Sequence, residues 1–265
     1  MTLLKAGIFL DVENLVRCGG WGVRYRTIRL LAEAQGTRVV RANAYIVIDR
    51  DREHEDSAYH RKKQEYRDAV RRAGFHVSLK DVRRYHNSDG EVIVKASADI
   101  DLAVDALMQC KELDYVLLGS GDGDLVRVVE ALQSQGKRVD LLSFSNTSEA
   151  LRRTVDAHFS GYLVPDLQPL GQDGEKPRQR GIMHWVNEEK GFGFLTIRTG
   201  LGAEDVREDV FIHINDFEHA DGHSVTNKSF ASLKTYQRIL EFDTEEQEEG
   251  KLKAVRMIEF QPELD

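Results

Sequence analysis

The sequence predicts an α/β chain: a parallel sheet with crossover helices, followed by a small antiparallel β-barrel of about five strands. Three features predict it. Up to residue 164, short apolar runs alternate with segments of helical periodicity. Residues 165–180, PDLQPLGQDGEKPRQR, hold three of the four prolines and show no periodicity, which marks a linker. Residues 181–265 then carry only short runs that alternate apolar with polar, the pattern of half-buried strands. The expected division is 1–164, the linker 165–180, and 181–265.

The elements follow in order. Residues 5–11, KAGIFLD, form a short buried strand that closes on an acid. Residues 24–35 form a helix stopped by Gly36, and 38–48, RVVRANAYIVI, a β-branched strand. The charged segment 55–73 has helical spacing and stops at Gly74, and 75–80 alternates like a strand. Residues 99–110 are helical, 114–119 (DYVLLG) a buried strand, 124–135 a helix ended by Gly136, and 138–143 a further strand. Strands that alternate with helices build a parallel sheet, whose ligands bind beyond the carboxyl ends of the strands. In the C-terminal part, GIMHWV, GFGFLTIR, EDVFIHI, YQRILEF and KAVRMIEF supply the barrel strands, and DTEEQEEG (243–250) a solvated hairpin turn.

Composition bounds the function classes. The 265 residues are 41% hydrophobic and 31% charged, with a mean hydropathy of -0.46. No stretch approaches the ~20 apolar residues of a membrane span. No secretory signal opens the chain. The two cysteines, Cys18 and Cys110, have neither CxxC nor zinc spacing. A cytoplasmic protein with no membrane partner is expected. Net charge is -8, split as +1 over residues 1–164 and -9 over 165–265. That split argues against salt-driven binding to duplex DNA. Nucleic acid would have to be held by local basic patches or by stacking.

Acids recur where the first sheet should present them. Asp11 closes the first strand, with Asn14 three residues on. Asp99, Asp101 and Asp105 surround a helix start. Asp122 and Asp124 follow DYVLLG in Ser120-Gly121-Asp122-Gly123-Asp124. Acids gathered at one rim repel unless a cation sits between them, and hard oxygen ligands suit Mg²⁺ or Mn²⁺. Metal ions so held activate water and stabilise in-line phosphoryl displacement. The plain alternative for any one of them is a helix N-cap. Asp101 and Asp105 share a helix face, with Asp101 expected toward solvent.

These segments carry a resemblance. GIFLDVENL (7–15), YRDAVRRAGFHVSLK (66–80), KASADIDLAVDAL (95–107), YVLLGSGDGDL (115–125) and SEALRRTVDAHF (148–159) resemble the NYN domain of the LabA-like group, a branch of the PIN-like nuclease superfamily. The resemblance implies a Rossmann-like α/β fold and a metal-dependent ribonuclease site. It sets Asp11, Asp99, Asp122 and Asp124 as metal ligands and catalytic acids, with Asn14 orienting a ligand water or a phosphate oxygen. Asp105 and Ser120 stand behind them. One departure is Leu125, where phenylalanine is common. The resemblance also implies a possible homodimer through this domain, and it extends to regulators without evident catalysis.

Basic residues surround the same region. Arg61, Lys62, Lys63, Arg67, Arg71 and Arg72 lie on 55–73, interleaved with acids, so a solvated charged face competes with phosphate contact. Lys80 and Lys95 approach the rim and are the candidates for phosphate contact. His54, His60, His76 and His86 have no ligand or triad arrangement. A third, weaker reading of FLDVEN is an acyl-phosphate phosphatase with Asp11 at the strand end, disfavoured because Glu13 stands where such enzymes usually want a second Asp.

The C-terminal part has an aromatic constellation. In Lys190-Gly191-Phe192-Gly193-Phe194, alternation sends both rings to one sheet face; Phe211 and His213 likewise share a face, and Trp185 precedes them. Exposed rings on one face suit bases, each stacked base contributing ~1–3 kcal/mol. The competing reading is barrel core. KGFGF and VFIH together resemble the two RNA-binding motifs of cold-shock domains, over roughly 180–260. That resemblance implies an OB-type barrel that binds single-stranded RNA, or single-stranded DNA, through Trp185, Lys190, Phe192, Phe194, Phe211 and His213. Departures stand at His184, Val186 and Ile214, and 198–209 is an insertion.

Together the two parts suggest a metal-dependent ribonuclease acting on single-stranded RNA, the barrel capturing substrate for the acids. The alternative is a non-catalytic RNA-binding regulator with a vestigial nuclease site.

Overall fold

A computed structural model describes residues 3–86, 92–95, 98–169, 178–218 and 225–262. The chain divides into two compact units, residues 1–161 with 264–265, and 162–263. Among the described residues no helix is long and apolar enough to cross a membrane.

The first unit runs β1 (Leu4–Asp11), α1 (Val12–Arg17), α2 (Tyr25–Glu33), β2 (Thr37–Ile48), α3 (Arg50–Glu55), α4 (Ser57–Arg72), β3 (His76–Asp81), β4 (Arg83–His86), β5 (Val92–Lys95), α5 (Asp99–Gln109), β6 (Tyr115–Gly119), α6 (Val126–Ser134), β7 (Arg138–Ser143), α7 (Glu149–Thr154) and β8 (Ala157–Ser160). Six strands form one sheet, ordered β3-β2-β1-β6-β7-β8, with every ladder parallel. β4 and β5 form a separate antiparallel pair. β1 and β6 are central and buried on both faces, which is why they read as unbroken apolar runs. One face packs Phe9, Tyr45, Val116 and Leu118 against Leu102 of α5 and Val129 of α6.

The charged segment 55–73 forms the single helix expected of it, α4, and a separate short helix, α3, precedes it. Asp49 caps α3, and Asp56 caps α4 by accepting from the N–H groups of Ala58 and Tyr59. Arg67 is not on a solvated face: it is 4% exposed. Helices α1 and α7, strand β8 and the β4–β5 pair were not expected from the periodicity.

The second unit runs β9 (Gln179–Asn187), β10 (Phe192–Arg198), β11 (Val206–His213), α8 (Asn227–Thr235), β12 (Ile239–Glu246) and β13 (Leu252–Glu259). It closes as a barrel, β10-β11-β13-β12-β9. Closure leaves no edge to aggregate. Met183, Leu195, Ile212, Leu240, Phe242 and Met257 fill it, and α8 contributes Phe230 and Leu233 to the same core. Of 165–180, Leu167 is buried, residues 170–177 lie outside the described residues, and Gln179 and Arg180 already pair in β9. Asp243–Glu246, expected in a turn, are strand.

Gly193 permits β9 and β10 to approach. A Cβ there would lie 2.5 Å from the Trp185 carbonyl oxygen, which is backbone and cannot swing away. Gly193→Ala is therefore expected to destabilise the barrel by about 2–3 kcal/mol, read by urea denaturation of the full chain. An unchanged midpoint would show that the strands have room to part.

Candidate acidic site and nucleic-acid interface

The strand order sets β1 in mid-sheet. The chain leaves it toward β2 and β3 and returns on its other side as β6. The crevice at the carboxyl ends of β1 and β6 is thus the switch point of the sheet, where ligands of open α/β sheets bind. Asp11 ends β1, and residues 120–124 follow β6.

Asp11 is 5% exposed. It caps α1, its Oδ1 accepting from Asn14 N at 3.0 Å. Asp99, at the start of α5, hydrogen-bonds the same carboxyl. Burial above all, with the Asp99 carboxyl adding, pushes Asp11 up to about 7, against the Asn14 N–H and Arg17, which pull it down. A buried carboxyl in hydrogen-bond contact with a second one favours a proton, or a cation, between them.

The rest of the crevice is held by side-chain bridges. Asn14 Oδ1 accepts from Gly121 N at 2.8 Å, tying α1 to the turn after β6. Gly121 is tightly enclosed: a Cβ would sit 3.3 Å from the Thr147 Cα. Ser120 is fully buried, and its Oγ accepts from Asp122 N at 3.2 Å. Asp122 Oδ1 accepts from Asp124 N at 2.9 Å, capping the short turn 123–125. Burial pushes the neighbouring Cys18 thiol up; Arg17 opposes that shift and the charges of Asp11 and Asp122 add to it. Asp124 is exposed.

Among the described residues, no three His, Cys, Asp or Glu side chains are grouped closely enough to hold a metal ion. Of the four carboxylates expected in one coordination sphere, Asp11 and Asp99 meet. Asp122 faces its own turn as a cap, and Asp124 is turned to solvent.

Around α5 the structure adds a pairing that spacing did not show: Lys80 Nζ donates to Asp101 Oδ2 at 2.6 Å, while the two side chains stay 34% and 45% exposed. The cause is packing. One face of α5 turns toward β2 and β3, carrying Asp101 and, one turn on, Asp105. Asp105 Oδ2 accepts from the Tyr45 hydroxyl at 2.8 Å, and Tyr45 stands beside Asp11 in the β1–β2 register. Burial, then Asp105, push the Tyr45 hydroxyl up, so it stays a donor. Lys95 lies on β5, paired with Arg83, and its side chain is outside the described residues. Of the histidines, His86 likewise has only its backbone described.

A buttress unseen in the sequence lies at the end of β7. His158 Nε2 and Ser143 Oγ are 2.7 Å apart, Ser143 Oγ and Thr147 Oγ1 2.7 Å, and Thr147 Oγ1 donates to the Phe144 carbonyl at 3.0 Å. With the threonine proton so placed, Ser143 donates to Thr147 and His158 Nε2–H donates to Ser143. The next residue, Ser148, donates its N–H to the Gly121 carbonyl at 2.9 Å. Burial chiefly, and Arg152, push His158 down to about 4 from 6.5. The unfolded chain takes up a proton that the folded chain refuses, so stability should fall as pH falls from 6.5 to 4, by up to about 3 kcal/mol. His158→Gln should flatten that slope in denaturation at pH 4.5 and 6.5; an equal slope in both proteins would contradict the assignment.

The barrel presents the second surface. Along β10 burial alternates, Gly193, Leu195 and Ile197 inward, Phe192 and Phe194 outward; β11 likewise sends Val210 and Ile212 in and Phe211 and His213 out. The rings are therefore not core. Ring centroids lie 5.5 Å apart for Trp185–Phe192, 5.8 Å for Trp185–Phe194, 5.8 Å for Phe192–Phe211 and 6.0 Å for Phe194–Phe211. His213 Nδ1 accepts from Asn215 N at 3.2 Å, which fixes the ring and leaves Nε2 for a ligand. Lys190 is exposed in the turn before Phe192. Val186 and Ile214, partly buried, pack against the barrel core. His184 Nδ1 is 3.1 Å from Thr196 Oγ1. The insertion 198–209 folds on itself, Thr199 N donating to the Asp205 carbonyl at 2.9 Å and Gly202 N to its carboxylate at 2.7 Å.

Comparison with known proteins accounts for both units. Residues 5–163 match the NYN domain family, and residues 179–259 the 'Cold-shock' DNA-binding domain. Low amplitude and bright protein LabA of Synechococcus elongatus is 26% identical over 115 residues, 42% of this chain and 60% of LabA. The chain thus spans less than two thirds of that relative. Cold shock-like protein CspG of Shewanella violacea is 33% identical over 78 residues, 29% of this chain and 89% of CspG. A crystal structure of a protein of unknown function from Vibrio parahaemolyticus superposes with a TM-score of 0.50 at 26% identity, covering 62% of this chain and 96% of that one. The domain pair points to nucleic-acid binding. With the first match spanning more than half of its length, the chain belongs to the NYN domain family and carries a C-terminal cold-shock domain.

Proposed function

We propose that the protein is a divalent-metal-dependent ribonuclease that takes single-stranded RNA from its own aromatic platform. The observation that carries this reading is the meeting, at the switch point, of the buried Asp11 carboxyl, pushed up to about 7, with the half-buried Asp99 carboxyl. Such a pair fits Mg²⁺ or Mn²⁺. These hard cations take one or two protein carboxylates and fill the remaining positions with waters and substrate phosphate oxygens. A closed cage of four acids is not required. Asp11 and Asp99 would hold the ion, with Asp122 and Asp124 reaching its waters. When bound, it lowers the pKa of water and offsets charge on the phosphoryl oxygens.

This chain's own residues do the remainder. Asn14 has its Oδ1 engaged by Gly121, and its Nδ2 makes no hydrogen bond among the described residues; that amide would donate to a phosphoryl oxygen. Tyr45 and Lys80 hold Asp105 and Asp101 back from the reacting centre. Trp185, Phe192, Phe194 and Phe211 would stack bases, a mode that tolerates the acidic C-terminal part. The tether between platform and acids raises the local concentration of bound RNA.

The test is incubation of labelled single-stranded RNA with the full chain in Mn²⁺, in Mg²⁺ and in EDTA. Cleavage in the metal arms alone supports the enzyme. Binding without cleavage, across several RNAs and both metals, replaces it with a non-catalytic RNA-binding regulator.

A further inference from the structure

A second cavity opens on the same rim of the first unit, beyond the carboxyl ends of β2 and β3. Its volume is about 530 Å³, within the range of small-ligand sites, and its lining joins an apolar floor to polar walls. Ile48 and Leu79 supply the floor, and Leu79 is 41% exposed although it is a strand leucine. His54, Ser57, His60 and Arg50 are among its polar lining.

The cavity has a built interior. Arg67, 4% exposed, donates Nη1 to Glu53 Oε1 at 2.8 Å and Nη2 to Glu53 Oε2 at 3.0 Å, while its Nε has no partner among the described residues. The guanidinium first, and His60 second, hold the Glu53 carboxyl below its usual range. Glu53 Oε2 in turn sits 3.0 Å from His60 Nδ1, so the ionised acid accepts from that nitrogen and leaves Nε2 as the ring's remaining polar atom. A buried ion pair gives little net stability compared with packed apolar side chains. Here it fixes the orientation of one imidazole in a cavity wall.

We propose that this cavity is a subsite for one nucleotide of the RNA strand presented to Asp11 and Asp99; the proposal rests on the reading of that acid pair as an RNA site. Imidazole faces and apolar side chains receive a base, Ser57 and His60 offer hydrogen bonds to its edge or to the ribose, and the Arg50 guanidinium, whose Nε donates to Asp81 Oδ1 at 2.6 Å, turns its remaining N–H groups to a phosphate. Position agrees. Asp11 pairs with Tyr45 on β2, and Ile48 lies three residues further toward the same rim. At ~3.3 Å per residue and one strand spacing of ~4.8 Å, that is about 11 Å from Asp11, within reach of a short oligonucleotide.

The same nucleotide chemistry is offered by a free mononucleotide, and the experiment separates the two. Full-length protein carrying Trp185→Ala, Phe192→Ala and Phe211→Ala, which silences the platform, is labelled at its histidine rings and titrated in metal-free buffer. The probes are UMP, AMP and the corresponding RNA trinucleotides. His54→Gln and His60→Gln identify the two resonances. The expected result is saturable movement of both, with each trinucleotide binding about tenfold tighter than its mononucleotide. No movement with any RNA overturns the subsite. Equal or tighter binding of the mononucleotide overturns it in favour of a free-nucleotide pocket. Because the readout is binding, the two readings fail separately. A chain that binds here yet never cleaves RNA loses the nuclease and keeps the subsite; a chain that cleaves without moving these rings does the reverse.

Discussion

Asp11→Asn is expected to reduce metal-dependent RNA cleavage on the order of 10³-fold while making the metal-free protein more stable. The two effects have one cause. The Asp11 carboxyl titrates at about 7 in the folded chain against 3.8 unfolded, chiefly because it is buried. Between about pH 4 and pH 7 the folded chain binds a proton that the unfolded chain has lost, so stability falls as pH rises through that window. Asparagine cannot ionise, and its Oδ1 can still accept from Asn14 N at the cap. Above pH 7 the variant should therefore exceed the parent by on the order of 2–4 kcal/mol in EDTA, and match it near pH 4. Urea denaturation at pH 4 and pH 8 reads the difference. A variant weaker than the parent at pH 8 would contradict the burial penalty on which the metal reading stands.

The second large effect concerns the platform. Phe192→Ala with Phe211→Ala removes two outward rings, each stacked base contributing ~1–3 kcal/mol. The expected loss is on the order of 10²–10³ in affinity for a single-stranded RNA oligonucleotide, measured by fluorescence anisotropy. Neither ring belongs to the barrel core, so the far-ultraviolet spectrum and the denaturation midpoint should hold. The parent's affinity should depend only weakly on salt, because stacking rather than counterion release supplies it. Unchanged affinity in the double variant would move RNA binding elsewhere.

Much of this was legible in the sequence, for physical reasons that also mark where legibility ends. The central strands of the first sheet are buried on both faces, so KAGIFLD and DYVLLG announce themselves as apolar runs. The barrel strands alternate, so the platform was readable from parity alone. Short or weakly apolar elements were not. Helix α8 buries Phe230 and Leu233 and little else, yet its capping box, Thr226 with Ser229, was a signal that could have found it. Helix α1 is six residues long, and its mark was the Asp11 cap itself. Side-chain partnerships were the least legible. Nothing in the spacing says that Lys80 would pair with Asp101, that Arg67 would be buried against Glu53, or that His158 would lean on Ser143. Those pairings join residues from 14 to 21 positions apart through tertiary packing. The acids show both sides. Their arrival near one switch point followed from strand ends, while the separation of Asp122 and Asp124 from Asp11 and Asp99 came from local capping of the 123–125 turn.

A divalent ion held between Asp11 and Asp99 is expected to displace the proton that burial favours on Asp11. Electron paramagnetic resonance titration of Mn²⁺ into the full chain at pH 8 measures it directly. The account predicts one firmly held ion in the parent and its loss in Asp11→Asn and in Asp99→Asn. A parent that leaves Mn²⁺ free in solution, or variants that bind it as the parent does, would contradict it.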